Sequence, residues 1–154
     1  MCGDAKIIRV STDNYHIFDD MVFYRMNGRD RNTDEQQTPR DFAQVFHTLV
    51  NPNLFVYAAE LEDRFVAWIS LVYLPKVGRT NGKGYIYVDE LWTSPECRRK
   101  GIARALMKKA DDLRDELQAV GIRLYVSEHN PDAIALYGGC GYTPHGDKSY
   151  FMSK

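Results

Sequence analysis

The stretch YIYVDELWTSPECRRKGIARALMKKADDLRDELQAV, residues 85–120, decides how the rest of the chain is read. It opens as a strand, breaks into a short polar loop and continues as a helix. At the joint stands Arg98-Arg99-Lys100-Gly101-Ile102-Ala103. A strand feeding a turn that opens a helix is a ready anion cradle. The first N–H groups of a helix have no partner inside it. The aligned peptide dipoles add about half an elementary charge there. A diphosphate can use both if no bulky side chain blocks the backbone. Gly101 removes that bulk and Ala103 nearly does, while Arg98, Arg99, Lys100 and Arg104 surround the mouth with positive charge. Ile102, Leu106, Ala110, Leu113, Leu117 and Val120 recur at helical steps and predict one apolar face. Gly121 is expected to stop the helix.

Outward from this stretch, 154 residues suffice for a single domain, expected over 1–154. Hydrophobic residues make up 44% and charged residues 27%, a globular balance. The formal net charge of −1 gives no polycationic field for nucleic acid. No apolar run approaches the roughly 20 residues needed to span a bilayer. The N-terminal residues carry no signal-peptide core, so a cytoplasmic protein is expected. Cys2, Cys97 and Cys140 are too few and scattered for a disulfide framework or a metal site, and read as free thiols. His16, His47, His129 and His145 are unclustered and read as surface or internally satisfied side chains.

In chain order, residues 6–10 predict a first strand. Residues 11–14 supply caps for a helix that turns Ile17, Phe18, Met21 and Val22 inward. Residues 27–37 read as a loop. Thr38-Pro39 predicts a helix start, with Phe42, Val45, Phe46 and Leu49 as its buried stripe. Strands are expected over 54–60 and 64–74, joined by a tight turn at Glu62-Asp63, and again over 85–93 and 122–127. Asn130-Pro131 opens a short helix that Gly138, Gly139 and Gly141 should break. Residues 142–144 and 149–152 predict a final hairpin. These elements alone give a mixed sheet with helices on its faces.

Two motifs carry a resemblance. Arg98, Gly101 and Ala103 fill the places of motif A of the GNAT (GCN5-related) N-acetyltransferases, although Arg99 stands where members often have Gly. The lead-in Asp89-Glu90-Leu91-Trp92-Thr93-Ser94-Pro95-Glu96 looks like the family's fourth strand and its Pro-Glu corner. Asn130, Ala133, Leu136-Tyr137 and Gly141-Tyr142 resemble motif B, about thirty residues downstream. The resemblance covers essentially the whole chain. It implies an α/β fold with a mixed sheet of about seven strands and a cofactor cleft between strands four and five. It further implies acetyl-CoA as cosubstrate, no metal, and an amine acceptor, either a small molecule or a peptide. Dimers are frequent in the family. A catalytically inactive acyl-CoA sensor of the same fold is the alternative.

By the same resemblance, acetyl-CoA would contact Leu91, Trp92, Thr93, Arg98, Arg99, Lys100, Gly101, Ile102, Ala103, Arg104, Asn130, Ala133 and Tyr137. Acetyl transfer needs a neutral amine, yet an alkylammonium titrates near pH ~10.4, so a proton acceptor is required. Asp89 and Glu90 are the candidates, beside a plain water chain. Adjacent strand residues point to opposite faces, so only one of them should face the acceptor. The leaving thiolate is best protonated by a phenol, and Tyr137 takes that role by residue-level carry-over. A local distortion of the fourth strand would free the N–H groups around residues 91–93 for the pantetheine arm and the thioester carbonyl.

Overall fold

The computed structural model describes residues 4–147 and 149–154, so Cys2 lies outside the described residues. The elements run β1 (Lys6–Arg9), α1 (Tyr15–Asn27), α2 (Thr33–Gln37), α3 (Ala43–Leu49), β2 (Leu54–Leu61), β3 (Arg64–Leu74), β4 (Tyr85–Thr93), α4 (Ile102–Leu117), β5 (Gly121–Leu124) and α5 (Pro131–Gly139). Two compact units result, one running to Leu124 and one from Tyr125 to Lys154.

The first unit holds a five-stranded sheet in the order β1-β2-β3-β4-β5. Every pairing is antiparallel except the parallel β4–β5 pair, and α4 is the crossover that a parallel pair requires. In β3, Val66, Ala67, Trp68 and Ile69 are all buried, so the strand is covered on both faces. On one face Val56, Ala58 and Trp68 pack with Val10 and Met21, with Ile17, Phe18, Val22 and Phe65 filling in around them. The α4 helix covers the sheet with Ile102, Leu106, Met107, Ala110 and Leu113, each at most 3% exposed. Burial of each such large side chain stabilises by about 1.5–3 kcal/mol.

The mixed α/β fold class is as expected, with five strands in place of seven among the described residues. The difference lies after Gly141, where residues 142–144 and 149–152 form no ladder. Tyr150, Phe151 and Met152 are largely exposed there, and an unsupported two-stranded hairpin is marginal in water. Strand propensity does not suffice without a partner strand.

Several boundaries also moved. Residues 33–37, expected as loop, form α2 because Asn32 and Glu35 make a reciprocal capping box. Thr38 closes that helix instead of opening the next one, which begins at Ala43. The α4 helix ends at Leu117, with Gln118 in the left-handed conformation, so Gly121 begins β5 and does not act as the stop. Val120 is 45% exposed and leaves the predicted stripe, while Met107 joins it. The fifth strand ends at Leu124, three residues early. The α5 helix runs through Gly138 and Gly139, because the Cys140 N–H still reaches Leu136 O at 3.1 Å; the turn out comes at Gly141 (φ 92°).

Candidate active site

The expected distortion of β4 falls at Asp89. Ser70 pairs with Glu90 while Leu71 pairs with Val88, so Asp89 is one residue too many on β4. This bulge reverses the facing of the strand. Ile86 and Val88 lie on the face of Tyr73 and Leu71, whereas Glu90 and Trp92 join Ser70 and Trp68 on the other. Pairing with β5 involves only Tyr85, Ile86, Tyr87 and Val88. Residues 89–93 therefore have no strand partner on the β5 side among the described residues. Every second N–H and C=O there points away from β3, towards whatever enters beside the strand.

The two candidate acids are now distinguishable. Asp89 is exposed at the bulge. Glu90 is ion-paired with Arg25 of α1 through one oxygen, and its other oxygen accepts from Trp68 Nε1 at 3.4 Å. The Arg25 guanidinium also lies over the Trp68 ring, 5.5 Å from its centroid, and Trp68 stacks on Trp92 at 4.6 Å.

Beyond Thr93 the chain passes Ser94 and a short 3₁₀ turn (Pro95–Cys97) before reaching α4. Cys97 is buried beneath this turn. Arg98 Nε donates to Thr93 O at 3.3 Å, tying the turn to the strand end. Arg99 and Gly101 both adopt positive φ, 64° and 79°. Gly101 is the N-cap of α4, has no side chain to cap the first turn, and would meet nothing within 4 Å if a Cβ were added. The first-turn amides of α4, at Ile102, Ala103 and Arg104, thus open beside a bare glycine, with Arg98, Arg99 and Lys100 exposed around them. This arrangement can hold a polyanion at the end of a strand that presents free main-chain groups.

On the other side of β4 lies a recess of about 290 Å³, which sequence reasoning missed. Its walls include His16, Asp20 and Tyr24 from α1, Asp63 and Arg64 from the β2–β3 turn, and Trp92 of β4. Tyr24 Oη donates to Glu96 Oε1 at 2.8 Å. The Glu96 carboxyl is held below its ordinary range, first by the nearby Ser94 hydroxyl and then by its own backbone N–H and the Tyr24 phenol. Ser94, 2% exposed, lies beside both groups. No signal in the sequence marks this recess, because its residues span positions 16–94.

The second unit places Asn130 at the N-cap of α5, where its Oδ1 accepts from the Ala133 N–H at 3.2 Å. Tyr137 is half-buried, and burial, with Cys140 second, pushes its phenol above the ordinary value. The Tyr142 N–H returns to Tyr137 O at 3.0 Å, closing the helix end on that residue. Among the described residues no group of three or more His, Cys, Asp or Glu could hold a metal ion. No helix among them is long and apolar enough to cross a membrane.

Comparison with known proteins bears on this geometry. The sequence model of the acetyltransferase (GNAT) family matches residues 18–142. A thialysine N-ε-acetyltransferase of Caenorhabditis elegans is 36% identical over 58 residues, 38% of this chain and 36% of that protein. A mycothiol acetyltransferase of Segniliparus rotundus is 32% identical over 97 residues, 62% of this chain and 36% of that protein. The aligned part thus spans about a third of either relative. Among solved structures, an aminoglycoside acetyltransferase from an uncultured soil metagenomic sample superposes with TM-score 0.78 at 17% identity, covering 97% of this chain and 95% of that one. A ribosomal-protein-alanine N-acetyltransferase from Brucella melitensis biovar Abortus 2308 gives 0.71 at 20% identity, covering 98% and 100%. At such identities these structures show the fold alone. The family match, running from α1 through the β4–α4 joint to α5, makes this chain a member of the GNAT acetyltransferase family.

Proposed function

We propose that the protein transfers the acetyl group of acetyl-CoA directly to a primary amine, and that its two compact units act as one domain. The observation that carries this reading is the continuous path from the unpaired β4 edge at residues 89–93 to the bare glycine heading α4. The pyrophosphate would rest on the α4 amides around Gly101, Ile102 and Ala103, with Arg98, Arg99, Lys100 and Arg104 adding charge. The pantetheine would follow Leu91, Trp92 and Thr93 as an added strand follows an exposed edge. The family resemblance assigns further contacts with acetyl-CoA to Asn130, Ala133 and Tyr137. Because Asn130 Oδ1 already caps α5, that residue would act mainly by fixing the helix.

In the reaction the neutral amine attacks the thioester carbonyl, and a tetrahedral oxyanion forms. Main-chain N–H groups of β4 stabilise that charge. The C–S bond then breaks, the amine's surplus proton passes to a base, and the thiolate of CoA takes a proton. Asp89 is the better-placed base: it is exposed at the bulge, whereas both oxygens of Glu90 are engaged. Tyr137 is the proton donor to the thiolate, a role suited to a phenol that burial keeps protonated. No covalent enzyme intermediate is needed. The sequence character supports a cytoplasmic setting.

The test is a thiol-release assay with acetyl-CoA over a panel of primary amines, preceded by a melting-temperature shift with acetyl-CoA alone. Binding with release on at least one amine is expected. Binding without release on any amine would favour an acyl-CoA sensor, and no shift would remove the cofactor assignment.

A further inference from the structure

At the bulge, two residues of β4, Asp89 and Glu90, stand against one residue of β3, Ser70. The ladder is fixed on either side of them, by Val88 against Leu71 before the bulge and by Leu91 against Ile69 after it. Main-chain pairing therefore leaves two solutions. Either Glu90 sits opposite Ser70 and Asp89 is the extra residue, or Asp89 takes the pairing and Glu90 is extra. The side chains must choose between them.

They choose through Glu90. Its carboxylate is held by Arg25 of α1 through one oxygen and by Trp68 Nε1 at 3.4 Å through the other. Both donors are themselves fixed. Trp68 is 1% exposed, stacks on Trp92 at 4.6 Å and meets the Phe18 ring edge-on at 5.0 Å. The Arg25 guanidinium lies over the Trp68 ring, 5.5 Å from its centroid. The neutral indole N–H is a long, weak partner, so Arg25 supplies the charge-assisted half of the clamp.

We infer that Arg25 is a positioning residue for acetyl transfer: by holding Glu90 on the α1 face it keeps Asp89, and the free main-chain groups of residues 89–93, at the open β4 edge. The inference rests on the reaction proposed for that edge. Arg25 acts through Glu90. The other bulge would bring Glu90 to the edge one residue further along, about 3.3 Å away, which takes a base out of hydrogen-bond reach of the amine. The effect is bounded in size. An ion pair exposed as this one is shifts a two-state population by no more than about fivefold.

Arg25→Met in the full chain tests this, since Met matches Arg in helix propensity but has neither charge nor donors. With an amine that the unaltered protein acetylates, kcat should fall about fivefold while KM for acetyl-CoA stays within about twofold. Arg25→Lys, which keeps a cation, should recover most of the loss. In a Glu90→Gln background Arg25→Met should cost less than about twofold, because its target is gone. Amide hydrogen exchange gives a readout that needs no turnover. The β3-bonded amides among residues 89–93 should exchange about fivefold faster in Arg25→Met, and those of α4 should not change. Unchanged exchange at residues 89–93 overturns the inference, as does an unchanged kcat, or a kcat loss of the same size with Glu90→Gln present. Faster exchange in a protein that acetylates no amine keeps the clamp on the strand edge and sinks the transferase reading. Acetyl transfer with kcat indifferent to Arg25 does the reverse.

Discussion

The Arg25 guanidinium on α1 is ion-paired with the Glu90 carboxylate on β4, and Trp68 Nε1 donates to the other Glu90 oxygen. One bulge residue earlier, Asp89 is exposed. Two adjacent carboxylates thus hold different positions: one is tied into the α1 face and one lies at the open strand edge.

Asp89→Asn is therefore expected to lower kcat by about 10²-fold or more, the usual range for loss of a general base. Glu90→Gln should change kcat less. It should lower stability by under about 1 kcal/mol, because the Arg25–Glu90 pair is 42% exposed on both sides and solvent screens it. Steady-state kinetics and urea denaturation separate the two effects. A larger kcat loss in the Glu90 variant would reverse the assignment.

Gly101→Glu should abolish acetyl-CoA binding, since a carboxylate would stand at the mouth of the α4 amides. Gly101→Ala is the control. Open space surrounds the position, so its cost is the left-handed φ of 79°, about 1–2 kcal/mol of stability. Calorimetry with acetyl-CoA should show near-normal affinity for Ala and none for Glu. Retained affinity in the Glu variant would move the phosphate site elsewhere.

Tyr137→Phe should reduce kcat about tenfold or more while leaving acetyl-CoA affinity within about twofold, because only a proton donor is lost. The same phenol makes a stability prediction. Burial raises its folded pKa above the unfolded value near 10, as it does for Tyr15 and Tyr57. The folded state then holds these protons more tightly than the unfolded chain. Their contribution is fully present below pH ~10 and is lost as pH climbs through the higher folded values. Denaturation at pH 9 and above pH 10 should show the decline, and Tyr137→Phe should make it shallower.

Gly84→Ala should destabilise the protein by about 1–3 kcal/mol, as overpacking does. A Cβ at Gly84 would lie 2.0 Å from Leu74 O and 2.9 Å from Pro75 Cα, both backbone atoms. Gly84 also receives Val120 N–H at its carbonyl, 2.8 Å, and donates to Tyr73 Oη at 2.9 Å. The measurement is the thermal midpoint. An unchanged value would mean that the β3–β4 connection relaxes freely.

Much of this molecule was legible along the chain. The α4 stripe of Ile102, Leu106, Ala110 and Leu113 is buried as its spacing implied, and Gly101 heads that helix. Helix ends were read less well. Asn32 and Glu35 cap α2 inside a stretch that looked like loop, and Gln118 ends α4 without a glycine. Both depend on local hydrogen bonds that composition does not announce. The predicted last hairpin failed for another reason: a strand needs a partner, and residues 142–152 find no ladder among the described residues.

By itself the sequence determined the strand–glycine–helix joint, the covered β3 strand and membership in an acetyltransferase family, since these follow from residue spacing along one segment at a time. Only tertiary structure decided that the bulge falls at Asp89, that Glu90 is held by a residue 65 positions away, and that residues between 16 and 94 enclose a recess. Register belongs to two strands jointly, and an ion pair or a cavity wall belongs to whichever side chains packing brings together. Neither is a property of any one stretch of chain.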